Sequence, residues 1–117
     1  MGNKISTDLI RGHTDTIILN VLRHGDSYGY QIYKTIIEMS GNQYELKEAT
    51  LYTAFRRLEK RGYIASYWGD ETQGGRRKYY RITEDGLDRY EQNKKDWHFA
   101  KSVLKKLIEG GIKTNEE

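Results

Sequence analysis

The residues best suited to chemistry are Thr50, Thr53, Arg56 and Arg57, on the polar side of the segment KEATLYTAFRRLEK. Leu51, Phe55 and Leu58 fall at i, i+4 and i+7 of the same segment and define the buried stripe of a helix. Hydroxyls and guanidinium groups on the outer face of such a helix can read base edges in a DNA major groove while its rear packs on a core. Lys47 precedes this face, and Tyr52 is placed to hydrogen-bond a phosphate near the helix start. About twenty residues on, Gly74-Gly75 is followed by Arg76, Arg77 and Lys78 between two short runs rich in aromatic residues. Arginine at a hairpin tip can enter a narrow minor groove and lysine can contact phosphate. In this reading Arg76 and Lys78 make those contacts rather than Arg77.

Charge supports the same chemistry. From Lys47 to Ile82 there are nine Lys/Arg and four Asp/Glu, a net of +5, whereas the whole chain of 117 residues is only +3. The remainder therefore sums to −2, and the positive charge is concentrated where a polyanion would dock.

Catalysis finds little support. His13, His24 and His98 are scattered without ligand spacing, and the chain contains no Gly-rich phosphate loop and no G-x-S-x-G. Absence of cysteine removes thiolate nucleophiles, thiolate metal sites and disulfides, in keeping with a reducing compartment. No metal and no cofactor is expected, and no enzyme. No signal peptide or membrane span is legible, so a cytoplasmic location is expected. Met1 to Ser6 fits the myristoylation pattern M-G-x-x-x-S, for which a coincidental match is the ordinary explanation.

The elements that position these residues follow from periodicity and punctuation. A first helix is expected from Thr7 to Arg23, weakened by Gly12. A second runs from Tyr28 to Ser40, capped by Asp26-Ser27 and carrying Ile32, Ile36 and Met39. The third runs from Glu48 to Arg61. Gly25, Gly41 and Gly62 end the three, as left-handed caps do. A hairpin then pairs Tyr63–Trp68 with Arg77–Ile82, where alternation sets Arg77, Tyr79 and Arg81 on one face and Lys78, Tyr80 and Ile82 on the other. Thr83 caps a long fourth helix, Glu84 to Glu109. The fold class is thus mainly α with a two-stranded β-wing: a winged helix-turn-helix over 1–83, a C-terminal dimerisation helix over 84–109, and a flexible tail over 110–117.

That last helix carries Leu87, Tyr90, Trp97, Ala100, Val103, Leu104, Leu107 and Ile108, more apolar surface than so small a domain covers. A second copy of the chain is the economical partner, with Leu104, Leu107 and Ile108 in the contact. Trp97 serves either as a core or dimer-contact residue or as an aromatic platform for a flat ligand.

Glu48-Ala49-Thr50-Leu51-Tyr52, Arg57-Leu58-Glu59, Gly62, the block from Gly74 to Thr83, and Tyr28-Gly29-Tyr30 together resemble the PadR family of bacterial transcriptional regulators. The single short C-terminal helix resembles its smaller, multidrug-binding subfamily. The resemblance implies a homodimeric winged-helix repressor of an efflux or stress gene, bound to a pseudo-palindromic operator in double-stranded DNA and released by a small molecule. It also implies a pore at the dimer centre in which Trp97 sandwiches planar aromatic molecules, lined by Asp8, Leu9, Gly12, Asp15, Thr16 and Ala100. Two positions depart from that pattern. Lys101 stands where an acidic pore residue is expected, and Lys94 where an aromatic one is, which argues against the cationic preference that Asp8 and Asp15 would partly restore. The alternative function is a non-specific architectural DNA-binding protein. A further one is a ligand- or protein-binding module that has lost DNA binding.

Overall fold

The computed structural model describes residues 4–69 and 76–113. The expectations for the myristoylation motif at the N-terminus, for the wing tip from Asp70 to Gly75 and for residues 114–117 lie outside these. The described elements are α1 (Thr7–Ile10), α2 (Thr14–Leu22), β1 (Ser27–Tyr28), α3 (Gly29–Met39), α4 (Glu48–Lys60), β2 (Ile64–Gly69), β3 (Arg77–Ile82) and α5 (Glu84–Glu109). The chain is mostly helical, with a small antiparallel sheet in the order β1-β3-β2.

Two differences from the sequence reading have clear causes. The expected first helix is broken, because Gly12 adopts φ +94° and turns the chain between α1 and α2. Leu9 consequently leaves the core and is exposed, whereas Ile18, Leu19 and Leu22 are fully buried. The wing gains a third strand. Asp26-Ser27 does not cap α3: Ser27 and Tyr28 pair with Tyr80 and Tyr79 of β3, and the Asp26 carboxylate instead accepts a hydrogen bond from the Tyr67 hydroxyl at 2.6 Å. Backbone pairing to an existing strand satisfies these amides better than a side-chain cap.

The core gathers one face from each element. Ile18, Leu19 and Leu22 of α2, Ile32 and Ile36 of α3, Leu51, Phe55 and Leu58 of α4, Ile64 of β2 and Tyr80 of β3 are all under a tenth exposed. Phe55 sits at its middle, with ring centroids 4.3 Å from Tyr80 and 5.3 Å from Tyr52. Gly41 and Gly62 take the expected left-handed conformation after α3 and α4, while Gly25 has φ +148° and is not an αL cap.

The expected cap of the long helix is present. The Thr83 hydroxyl accepts from the Gly86 N–H at 3.0 Å and donates to the Gly62 carbonyl at 2.6 Å. Gly86 is required there, since a Cβ would overlap the Tyr63 carbonyl oxygen and press on Ile82 at 2.8 Å. The first turns of α5 are therefore tied to the turn between α4 and β2. Tyr90, buried under the Arg23 guanidinium at 4.8 Å, holds the next turns to α2. Beyond it the helix is largely uncovered: Leu104, Leu107 and Ile108 are 53%, 75% and 77% exposed.

Candidate nucleic-acid interface

α4 begins at Lys47, whose extended backbone precedes the helix without a side-chain cap. The stripe Leu51, Ala54, Phe55 and Leu58 is buried, and Ala49, Thr50, Tyr52, Thr53, Arg56 and Lys60 lie on the outer surface. Polar contacts already constrain two of them. The Thr53 hydroxyl donates to the Ala49 carbonyl at 2.8 Å and accepts from Arg56 Nη2 at 3.3 Å. With its proton spent within the helix, Thr53 offers an approaching base its methyl group, and Arg56 is aimed along the helix surface by the contact. Thr50 makes no side-chain hydrogen bond among the described residues.

Arg57 is placed differently from its neighbours. Its guanidinium forms a two-point ion pair with the Asp15 carboxylate of α2, through Nη2 and through Nε at 3.3 Å. The hydrogen bond to Asp15 is the main reason that the guanidinium pKa lies above its ordinary value. The pair forms one wall of a groove shared by Arg11, Thr14, Thr50 and Thr53. Arg57 thus enters a DNA contact only in competition with a carboxylate, a restraint that spacing on α4 alone does not reveal.

On the wing, Arg76 lies over the Trp68 ring at 5.7 Å and Lys78 over the Tyr80 ring at 5.7 Å, while Arg77 stacks on Tyr28 at 4.4 Å. Alternation in β3 follows the expectation: Tyr80 is buried against Phe55, and Tyr79 stacks on Tyr67 across the opposite face, with Tyr28 edge-on. Tyr28, Tyr30, Tyr52, Arg77, Lys78 and Tyr80 converge on one cleft where α3, α4 and the wing meet. The structure therefore joins Tyr52 of α4 to Lys78 of the wing, and adds Tyr28, Tyr30 and Tyr80, which the sequence reading did not single out as functional. The signal was present, since Tyr28-Gly29-Tyr30 opens a helix and Tyr80 alternates with Lys78.

The expected ligand residues divide. Trp97, Leu9 and Thr16 line an apolar cavity of about 460 Å³ between α1, α2 and α5, together with Ile17, Tyr90 and Lys94. Asp8, Gly12, Asp15 and Ala100 do not line it. Asp8 pairs with Arg11 at 3.0 Å on the surface, and Gly12 and Asp15 face the groove beside α4. Ala100 is exposed on α5. The Lys101 ammonium lies 4.6 Å from the centre of the Trp97 ring. Among the described residues no group of three or more His, Cys, Asp or Glu could hold a metal ion, and no helix is long and apolar enough to cross a membrane.

The PadR-like family model of transcriptional regulators matches residues 18–92. The chain belongs to this family. A transcriptional regulator of Clostridium thermocellum is 52% identical, with a TM-score of 0.83, over 90% of this chain and 99% of its own. A PadR family regulator of Clostridium difficile is 40% identical, with a TM-score of 0.73, over 83% and 99%. An uncharacterised protein of Lysinibacillus sphaericus is 43% identical over 91% of this chain and 97% of its own. Bacillus subtilis PadR, whose structure is of a complex with operator DNA, shares the fold at 22% identity and a TM-score of 0.62. PadR-like structures are winged-helix proteins, and the family is one of transcriptional regulators rather than enzymes.

Proposed function

We propose that this chain is a sequence-specific DNA-binding transcriptional regulator, a repressor of an efflux or stress gene. Residues 1–83 form the DNA-reading head, 84–109 the dimerisation helix and 110–117 a tail. The observation that carries the reading is the outer face of α4, where Thr50, Thr53 and Arg56 stand exposed beside a wing that presents Arg76 and Lys78. Lys47 to Arg57 enter the major groove; Arg76 and Lys78 lie on the backbone or in the minor groove. The uncovered Leu104, Leu107 and Ile108 of α5 pair two copies, and two heads read a pseudo-palindromic operator.

Arg56→Ala should relax sequence preference, because it removes a base contact. Lys78→Ala should weaken all sequences alike and reduce the slope of log K against log salt by about one unit. Equal losses from both variants on operator and random duplex would contradict this division of labour.

A small molecule controls the repressor through the cavity between α1, α2 and α5. Its apolar lining and the Trp97 ring suit a planar aromatic ligand, and Lys94 and Lys101 weigh against a cationic one. In Trp68→Phe, which leaves Trp97 as the remaining tryptophan, such a ligand should quench the emission. Emission unchanged across a panel of planar aromatics would count against this part of the reading.

A further inference from the structure

We propose that the Asp15–Arg57 ion pair is an autoinhibitory latch on α4, set from the apolar cavity on another flank of α2. That a freed Arg57 reaches DNA rests on the proposed function; the coupling between cavity and pair does not.

Five consecutive residues form the wall between the two sites. Thr14 and Asp15 line the groove that holds Arg57 and Thr53, whereas His13, Thr16 and Ile17 line the cavity that holds Leu9 and Trp97. The two linings share no residue. All five are half-buried, and Ile18, Leu19 and Leu22 after them are fixed in the core. The first turn of α2 therefore touches both sites at once, through different flanks.

That turn is loosely attached on its N-terminal side. Gly12 precedes it at φ +94°, with no heavy atom within 4 Å of the position a Cβ would take. His13 supplies no side-chain cap, and α1 before it is only four residues long. Its backbone is held by the His13 N–H on the Ile10 carbonyl at 2.9 Å and the Ile17 N–H on the His13 carbonyl at 3.0 Å. Arg57, in contrast, projects from a helix anchored by Leu51, Ala54, Phe55 and Leu58, none more than 1% exposed. When the pair parts, the start of α2 is the element that moves, and the cavity behind it is the room it moves into.

In the closed state, seen here, Asp15 holds the guanidinium through two hydrogen bonds. In the open state the first turn settles into the cavity, and Arg57 is released toward a DNA phosphate. Opening narrows the cavity, so an occupant that fits the closed form opposes opening and keeps Arg57 on its carboxylate. Reciprocally, DNA that draws Arg57 away lowers the affinity for the occupant. A ligand behind α2 thereby weakens DNA binding without touching α4.

The test needs no ligand. Its first arm uses Trp97 as the reporter, in full-length Trp68→Phe, where it is the remaining tryptophan. Adding Asp15→Asn, or Arg57→Gln should the first fold poorly, frees the first turn to close on the cavity. Quenching of Trp97 emission by acrylamide should fall. The second arm measures the salt slope of duplex binding for Trp97→Ala, which makes room behind α2, with and without Asp15→Asn. Trp97→Ala should steepen the wild-type slope by about 0.9 at most, the value of one phosphate contact, and leave the Asp15→Asn slope unchanged. A change through dimer packing would appear equally in both backgrounds.

Quenching that is unchanged or raised in a folded variant overturns the proposal. So does a Trp97→Ala effect on the slope that is absent, or the same, in both backgrounds. Should wild type bind no duplex at all, the proposed function fails, and the quenching of Trp97 alone decides the coupling.

Discussion

Asp15→Asn should loosen the fold and tighten DNA binding at once. The Asp15 and Arg57 side chains are 24% and 37% exposed, so the pair lies between two regimes. An exposed ion pair contributes about 0–1 kcal/mol. Breaking a fully buried one costs about 3–5 kcal/mol. Partial exposure places this pair at about 1–2 kcal/mol by interpolation between those limits. The substitution keeps the shape, leaves the guanidinium charged, and removes a carboxylate from a groove that Arg11, Thr50 and Thr53 share. Arg57 is then free to neutralise one phosphate. That contact steepens the salt slope by about 0.9, equivalent to about an eightfold gain at 0.1 M salt relative to 1 M. Anisotropy of a labelled duplex from 50 to 400 mM salt (roughly the range over which phosphate contacts dominate) reads the slope. Urea unfolding at fixed protein concentration reads the stability. An unchanged slope with lower stability would mean that Arg57 is purely structural. Unchanged stability would mean that the pair contributes nothing to the fold. The first result refutes the competition described for Arg57, and the second refutes the stabilising role of the pair.

Three further outcomes are expected. Gly29→Ala should weaken duplex binding at least as much as Tyr52→Phe while moving the urea midpoint little, since it displaces a partly exposed ring rather than the core; a midpoint collapse with unaltered affinity would contradict this. Phe55→Ala should destabilise the chain by about 3–5 kcal/mol, because it empties the middle of a close-packed core, and a loss under 1 kcal/mol by urea unfolding would show that neighbours refill the space. Stability should fall as pH rises past the ordinary phenol value of 10.0, because hydrogen bonds to Asp26 and Glu45 raise the pKa of Tyr67 and Tyr33, and burial raises those of Tyr44 and Tyr80. A raised folded pKa stabilises fully below the unfolded value and is lost as pH climbs through the folded one. Urea midpoints at pH 8 to 11.5 (about the window around phenol ionisation) should therefore decline, less so in Tyr67→Phe.

Much of the architecture was legible because it depends on local rules. The stripe Leu51, Phe55 and Leu58 marks α4, and Thr83 with Glu84 and Asp85 marks the start of α5. The third strand was not legible. Ser27 and Tyr28 have the composition of a helix entry, and only the spatial arrival of β3 turns them into a strand. The break at Gly12 was visible as a weakness but not as a turn, since its φ of +94° depends on where α2 must pack. Site residues followed the same division. The outer face of α4 was readable from periodicity, whereas the Arg57–Asp15 pair spans 42 residues and no spacing rule reaches it. Asp15, which the resemblance assigns to a ligand pore, forms its ion pair with Arg57 of α4. Tyr80 was legible as a β-strand residue facing the core, but its place beside Tyr52 and Tyr30 in one cleft appears only once α3, α4 and the wing meet.

The most direct test of the DNA-binding account is the affinity of the purified protein for the DNA upstream of its own gene against random duplex, over a salt series. A specific regulator prefers its operator by about a thousandfold or more, with a steep fall in affinity as salt rises. A preference of about a hundredfold or less would contradict the account and leave a non-specific architectural DNA-binding protein in its place. Affinity indifferent to salt would remove the basic face of α4 and the wing from the interaction altogether.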